Sequence, residues 1–384
     1  MTFSSSPGAQ ADTAETRRYN RIHRRLTFID LGLSFGVLLL LLMTGWTGTL
    51  RDWAWHGASA HYALALFFYI GLLAAISKVV SLTPDIYSFR LEHRFHLSNQ
   101  GWASWAWDEA KGWLLGLLLG AIAGEIVFAT IRAWPDFWWL IAWVVFIALM
   151  VFFAQIAPVV LFPLFYKFKP LENEELKARL VSLGERAGAR VHGVYEWKLS
   201  EKSKKANAAL TGLGNTRRII LADTLLQNYS ADEIEAILAH ELGHHAHKHM
   251  LKGIAIQVAV TFVGFWAANQ VLRYAIYSRH MFEHLSDFAD LPLLVLVSSM
   301  ISLLLAPALN AWSRHNERQA DLYSWQSTPS IEPFITSMTK LADQNLAERE
   351  PSRLVEILFH SHPPITKRIR AAQEFAQSKP TMQA

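Results

Sequence analysis

The sequence predicts a mainly α-helical, polytopic membrane protein with one water-soluble region that contains a small β-sheet. Hydrophobic residues make up 52% and aromatic residues 12% of the 384 positions, more apolar than is usual for a soluble enzyme. About six apolar runs are each long enough to cross roughly 30 Å of hydrocarbon as a helix. A longer polar stretch with alternating apolar residues separates the fourth run from the fifth.

The apolar runs define six predicted membrane spans. They lie at 28–49, 61–82, 112–131, 137–160, 253–277 and 291–312. A buried helix of a soluble protein is the alternative for any single run, but the first, with its VLLLLLM core, is the hardest to interpret in that way. Tryptophans such as Trp46, Trp53, Trp134 and Trp138 suit the interfacial layer at the ends of spans.

Positive charges predict the orientation. Five arginines between residues 17 and 25 precede the first span, so the amino terminus is expected in the cytoplasm. Alternation then places 161–252 and 313–384 in the cytoplasm and the acidic loop 278–290 on the opposite side. The net charge of +4 reflects this bias and not a basic face for nucleic acid, so no nucleic-acid partner is expected.

The spans divide the chain into five predicted parts. These are a basic cytoplasmic tail (1–26, with 1–12 disordered), a four-span region (27–160) with a structured loop (84–111), a water-soluble cytoplasmic region (161–252), a two-span hairpin (253–312) and a cytoplasmic carboxy-terminal region (313–384). The water-soluble region is predicted to contain a helix at 172–187 and strands at 191–197, 206–213 and 218–222, the last two forming a hairpin around Gly214-Asn215. A capping box, Ser230 to Glu233, is predicted to open a helix that continues through 234–250.

That last helix contains the sequence HELGH at 240–244. Histidines four residues apart lie on one helical face, so His240 and His244 can both bind a single Zn²⁺ at about 2.0–2.1 Å. Glu241 then lies beside the metal and can take a proton from the attacking water, as in hydrolysis of a peptide bond. The motif also occurs by chance, so it requires a third ligand to be convincing.

A distant acidic pair supplies that ligand. Glu317 and Asp321 lie four residues apart on the helix that follows the last span, where such a pair is often merely solvated. The two spans between His244 and Glu317 return the chain to the membrane face that it left. We therefore predict Glu317 as the third zinc ligand and Asp321 as the acceptor for the second ring N–H of a ligating histidine.

Other polar residues are weaker candidates. His245, His247 and His249 could hold a second metal, but solvated or dipole-facing cations are the better interpretation. Glu125 lies deep in the third span, where it faces either water or a hydrogen-bonding partner. The chain has no cysteine, which excludes disulfides, thiolate nucleophiles and cysteine zinc ligands.

Several further segments accompany the HELGH motif and Glu317. They are PLF at 163–165, Phe168, PLE at 170–172, Asn207-Ala208, IILADTLL at 219–226, Ser313-Arg314, HPP at 362–364 and Arg368. In these segments and in HELGH at 240–244, the sequence resembles the integral-membrane CAAX prenyl endopeptidases of the zinc-metalloprotease type, which belong to the gluzincins. The resemblance covers most of the chain, and together these segments are far more specific than the HELGH motif alone.

The resemblance implies additional site residues. Asn207 and Ala208 would begin an active-site edge strand that binds the substrate backbone by strand addition. His362 and Arg368 would bind the substrate near the scissile carbonyl and stabilise the developing oxyanion. From the residues alone, His362 is a turn residue and Arg368 a solvated helix charge. The family encloses a water-filled chamber, which would let Glu125 ionise.

The sequence departs from the family in length and in the number of spans. The eukaryotic members are longer and have seven spans where this sequence predicts about six, which favours a bacterial homologue. The expected location is therefore a bacterial inner membrane, and the eukaryotic equivalent would be the endoplasmic reticulum membrane. A bacterium need not prenylate proteins, so the substrate is expected to be a carboxy-terminal or membrane-associated peptide that is lipidated or plain, in a protein of undetermined oligomeric state. A membrane quality-control metalloprotease of the heat-shock type and a non-catalytic zinc-binding scaffold remain as alternatives.

Overall fold

The computed structural model describes residues 12–59, 61–212 and 217–378. It is mostly helical, and six of its described helices are long and apolar enough to cross a membrane, which confirms the predicted fold class. Much of the proposed disordered segment at 1–12, and the turn around Gly214-Asn215, fall outside the described residues.

Five helices form the amino-terminal membrane region. They are α1 (Ala14–Thr44), α2 (Trp46–Gly57), α3 (Tyr62–Arg94), α4 (Trp102–Ala133) and α5 (Trp138–Ile156), the last continuing through irregular helical turns to Leu164. With 12 residues, α2 is too short to span a bilayer. The other four lie at the predicted spans, but their ends differ. Helix α1 begins earlier than predicted and ends at Thr44, before the predicted end at 49, because Gly45 has a left-handed backbone conformation with φ 73°. Helices α3 and α4 extend further, because polar residues continue them beyond the apolar runs. As a result the predicted loop 84–111 is largely helical, and Pro84 lies inside α3.

A small mixed sheet with flanking helices follows. Its strands are β1 (Phe168–Pro170), β2 (Gly193–Trp197), β3 (Ala208–Thr211) and β4 (Arg218–Ala222), in the order β1-β2-β4-β3. Strand β2 is parallel to β4, and the other two pairings are antiparallel. The sequence predicted β2, β3 and β4, with β2 and β3 longer than observed. It did not predict β1, which is only three residues long.

The remaining helices carry the site and return the chain through the membrane. They are α6 (Glu174–Arg186), α7 (Asp223–Asn228), α8 (Ala231–Ala246), α9 (His249–Tyr277), α10 (Leu291–Ser327), α11 (Glu332–Gln344), α12 (Arg353–Phe359) and α13 (Ile365–Ser378). The capping box of α8 is confirmed, since Ser230 Oγ accepts from the Glu233 N–H at 3.3 Å and Glu233 Oε2 accepts from the Ser230 N–H at 2.8 Å.

The predicted continuous helix through 234–250 is wrong, because the chain bends between α8 and α9. Lys248 has a left-handed backbone conformation with φ 55°, which an α-helix cannot accommodate. Helix α8 therefore ends at Ala246, and α9 starts in a new direction at His249.

Two hydrophobic cores fix the helices that meet at this bend. One lies among the membrane helices and centres on Tyr69, Phe128, Trp138 and Phe288, all almost fully buried. Trp138 also donates its indole N–H to Asn269 Oδ1 of α9 at 2.8 Å, a polar link between two spans. The second core lies between the sheet and α6, α7 and α8.

Helices α8 and α10 approach so closely that glycine is required at their contact. A β-carbon built on Gly243 would lie 2.8 Å from Ala320 Cα and 2.9 Å from Ala320 O, both backbone atoms that cannot rotate away. One turn after Ala320 on α10, Ser324 Oγ donates a hydrogen bond to the Ala236 carbonyl of α8 at 2.9 Å. The close approach and this hydrogen bond fix the position of each helix along the other.

Gly243→Ala is predicted to destabilise the α8–α10 contact, because the added methyl group overlaps the backbone of α10. Overpacking of this kind costs about 1–3 kcal/mol, so the melting temperature in detergent should fall. Gly264→Ala in α9 is the matched control, since its methyl group meets nothing within 4 Å and alanine favours a helix. Equal melting temperatures for wild type and Gly243→Ala would contradict the prediction.

Candidate active site

Three side chains from α8 and α10 converge at the end of the close contact. His240 Nε2 lies 3.3 Å from His244 Nε2 and 3.3 Å from Glu317 Oε2, and His244 Nε2 lies 3.3 Å from Glu317 Oε1. Within the described chain, these three form the group of histidine, aspartate and glutamate residues whose ligand atoms are close enough to hold a metal ion. The structure thus brings together the residues that the sequence predicted as ligands.

The spacing of these atoms fits a tetrahedral metal ion. Ligand atoms bound at 2.0–2.1 Å in tetrahedral geometry are about 3.3–3.4 Å apart. Glu317 Oε2 is buried and receives no hydrogen bond from the described residues, so a cation is the partner that its lone pairs lack. Two imidazoles and one carboxylate are a common donor set for catalytic zinc, which leaves a fourth position open.

Asp321 orients the first of the two histidines. Its Oδ1 lies 2.9 Å from His240 Nδ1, the ring nitrogen opposite the one that faces Glu317. Arg368 of α13 holds Asp321 in turn, with Nη2 2.5 Å from Oδ1 and Nε 2.9 Å from Oδ2. Such a bidentate pair fixes both groups, so His240 has little freedom to rotate.

The protonation of His240 is shifted by these neighbours. Burial lowers the pKa of His240, but the neighbouring carboxylates of Asp321 and Glu317 outweigh burial and raise the pKa to about 9 in the metal-free chain. A metal ligand must be neutral. Binding of a metal must therefore displace a proton from this ring at neutral pH.

Glu241 lies on the same turn of α8 as His240. Burial raises the pKa of the Glu241 carboxyl, and the neighbouring His240 and His244 offset this only in part. A carboxylate that accepts a proton more readily than in water is suited to act as a general base near neutral pH.

His362 reaches the site from the loop between α12 and α13. Its Nε2 lies 3.4 Å from Glu317 Oε1, while its side chain remains 62% exposed. Arg314 of α10 anchors this loop, because its Nη1 donates to the carbonyls of Glu356 at 2.9 Å and His360 at 2.7 Å. His362 is thus placed beside the candidate metal site and is open to solvent on its other side.

Strand β3 forms one edge of the sheet beside α8. Ala208 pairs with Leu221 of β4, and the carbonyl of Asn207 accepts from the Ala222 N–H at 3.0 Å. No strand among the described residues pairs with the opposite edge of β3. That edge therefore presents backbone groups that an extended peptide could bind.

The structure brings one of the weaker candidate histidines into contact with a predicted ligand. His249 is only 5% exposed and lies against His244, so its interpretation as a solvated cation is wrong. His247 is exposed, and His245 is partly exposed near the Gly188 carbonyl. No second metal-binding group is found among the described residues.

In α4, Glu125 Oε1 is buried without a hydrogen bond from the described chain.

Comparison with known proteins identifies the family. The family model for peptidase family M48 matches residues 170–376, and the model for the CAAX prenyl protease amino-terminal region, described as five membrane helices, matches residues 8–167. The chain belongs to peptidase family M48. The second match covers α1 to α5, of which α2 is too short to span a bilayer.

Relatives of this M48 peptidase occur in bacteria and eukaryotes. It is 31% identical to the uncharacterized metalloprotease YhfN of Bacillus subtilis, over 96% of this chain and 89% of that protein. It is 29% identical to CAAX prenyl protease 1 of Saccharomyces cerevisiae, over 81% and 72% respectively. The crystal structure of S. mikatae Ste24p has the same fold, with a TM-score of 0.83 and 24% identity over 93% of this chain and 88% of that one. The M48 peptidase is thus a multi-pass membrane metallopeptidase that resembles the CAAX prenyl proteases.

Glu317→Ala is predicted to lose metal affinity while the protein stays inserted and folded, because the carboxylate is one of three donors. Metal content after purification and dialysis should fall from near one ion per chain to a small fraction. Glu332→Ala, at the start of the peripheral helix α11, serves as the control. Unchanged metal content in Glu317→Ala would remove Glu317 from the ligand set.

Metal affinity is predicted to rise with pH. His240 is protonated below about pH 9 in the metal-free chain, so each ion bound displaces one proton. The apparent affinity should therefore fall about tenfold for each unit that the pH drops between 8 and 6. Chelator competition at several pH values measures this slope. Asp321→Asn should show a smaller slope, and a flat profile for wild type would contradict the assignment.

Proposed function

We propose that this chain is a zinc metalloendopeptidase with one Zn²⁺ held by His240, His244 and Glu317. The observation that carries the proposal is the spacing of their three ligand atoms, which matches the edges of a zinc tetrahedron, with Glu241 beside them. When bound, zinc would acidify a water molecule and polarise the scissile carbonyl. The remaining steps fall to side chains of this protein.

Glu241 is proposed as the general base and then the general acid. Its raised pKa lets it take a proton from the attacking water at neutral pH and pass that proton to the nitrogen of the leaving amine. Transfer of that proton to the amine restores the free carboxylate at the end of each turnover. Water attacks the peptide carbonyl, the C–N bond breaks, and an acid and an amine are released.

Different roles are proposed for His362 and Arg368. The exposed ring of His362 can donate a hydrogen bond to the substrate carbonyl oxygen as negative charge develops there. Arg368 is 9% exposed, and two of its nitrogens already bind Asp321, so we assign it to holding the Asp321–His240 pair. This refines the expectation that both residues contact the substrate.

The proposed substrate is an extended peptide at the cytoplasmic membrane surface. The free edge of β3, which Asn207 and Ala208 begin, offers backbone hydrogen bonds to such a peptide. Helices α9 and α10 run from the site into the membrane-spanning segments, so a substrate held by a lipid or a membrane anchor would reach the site directly. Prenylation would provide such an anchor, since the yeast relative is a CAAX prenyl protease.

Glu241→Gln is predicted to keep zinc and lose turnover, because the amide has a similar shape but cannot accept the proton. Loss of a general base typically costs about 10²–10⁴-fold in rate. Wild type and variant would be purified, their zinc measured, and cleavage followed on a farnesylated peptide and on the same peptide without the lipid. Asp232→Asn, an exposed acid on the same helix, is the matched control.

The two peptides separate the substrate from the mechanism. Faster cleavage of the farnesylated peptide supports a lipidated substrate, and equal rates support a plain membrane-associated one. Undiminished cleavage by Glu241→Gln would overturn the assigned base. Zinc in wild type with no cleavage of any membrane-anchored or soluble peptide would favour a non-catalytic scaffold.

A further inference from the structure

His249, the first residue of α9, lies against the Nδ1 edge of the His244 ring, away from the Nε2 atom that faces His240 and Glu317. The two Nδ1 atoms are 3.0 Å apart, and the rings meet nearly edge to face. On its other side, His249 Nε2 lies 2.8 Å from Gln319 Oε1 of α10. The three side chains form a continuous chain of hydrogen bonds that ends at the candidate metal site.

The protons in this chain can be placed in one consistent way. His244 points its Nε2 toward His240 and Glu317, so a neutral His244 that binds metal through Nε2 carries its proton on Nδ1. That N–H needs an acceptor, which His249 Nδ1 provides. His249 then carries its own proton on Nε2 and donates it to Gln319 Oε1.

We propose that His249, supported by Gln319, is a positioning residue that fixes the orientation and tautomer of His244. It is the counterpart of Asp321, which does the same for His240. Both histidines thus present Nε2 to the ion and are held at Nδ1, one by a carboxylate and one by a neutral imidazole. The inference rests on the proposed zinc site.

The bend between α8 and α9 makes this contact possible. In a continuous helix, a residue five positions after His244 would be rotated by about 140° and would point away from it. The left-handed conformation of Lys248 redirects the chain so that the His249 ring comes back to His244. The bend at Lys248 is therefore needed for the buried imidazole of His249 to contact His244.

The geometry argues against His249 as an additional metal ligand. Its nearest nitrogen faces His244 Nδ1, whereas the proposed ion lies on the Nε2 side of that ring. The described chain also contains no further cluster around His249 that could hold a metal. The ring of His247 stacks on that of His249, with 5.5 Å between the ring centroids, and this contact helps to hold the orientation of the His249 ring.

The test compares variants that remove or keep the hydrogen-bond acceptor. His249→Phe fills the space without an acceptor, whereas His249→Asn places an amide oxygen close to the position of Nδ1. The readouts are zinc affinity, measured by chelator competition, and the visible spectrum of the Co²⁺-substituted protein, which reports ligand geometry. His245→Phe, a neighbouring histidine outside the chain of hydrogen bonds, is the control.

His249→Phe is expected to bind zinc about 10- to 100-fold more weakly, the usual loss for removing an outer partner of a ligating histidine. It should also alter the Co²⁺ spectrum. His249→Asn should recover most of the affinity, and His245→Phe should match wild type. If His249→Phe is poorly folded, Gln319→Leu provides the second measurement, with a smaller loss of affinity in the same direction.

The outcomes distinguish this inference from the proposed function. Zinc binding by wild type with equal affinity in His249→Phe would overturn the positioning role and leave the metal site intact. Equally weak binding by His249→Phe and His249→Asn would also overturn it, because packing and not hydrogen bonding would then explain the loss. Absence of zinc from the wild type would instead overturn the proposed function.

Discussion

The close contact between α8 and α10 is the constraint on which the rest of this site depends. His240 and His244 lie on α8, and Glu317 lies on α10, so the distances of 3.3 Å among their ligand atoms follow from the separation of the two helices. Glycine at position 243 permits that separation, because any β-carbon would overlap the backbone of Ala320. The glycine within the HELGH motif is therefore a packing requirement and contributes no atom to the chemistry.

Helix α10 organises the site beyond this single contact. It supplies the carboxylate Glu317, the acceptor Asp321 for His240 and the amide Gln319 behind His249. Arg314, one turn earlier, anchors the loop that carries His362. Since these groups lie on one rigid helix, their relative positions are set by helical geometry, and preorganisation of this kind favours metal binding and catalysis.

The membrane and water-soluble parts are joined through the same helices. Helices α9 and α10 extend from the membrane core around Phe288 to the site, without a flexible linker between the two parts. Burial in the membrane core therefore fixes where the metal ligands stand relative to the bilayer. This arrangement supports the proposal that the substrates are anchored in the same membrane.

The sequence by itself determined the six spans, the capping box of α8 and the set of His240, His244 and Glu317, because each depends on local composition, helical spacing or the parity of crossings. It did not determine where the spans end, since polar helical turns continue past the apolar runs, nor the three-residue strand β1. The bend at Lys248, the pairing of Arg368 with Asp321 and the contact of His249 with His244 were decided only by the tertiary structure. They arise from packing between residues far apart in the chain, or from one backbone angle, and neither leaves a periodic signal in the sequence.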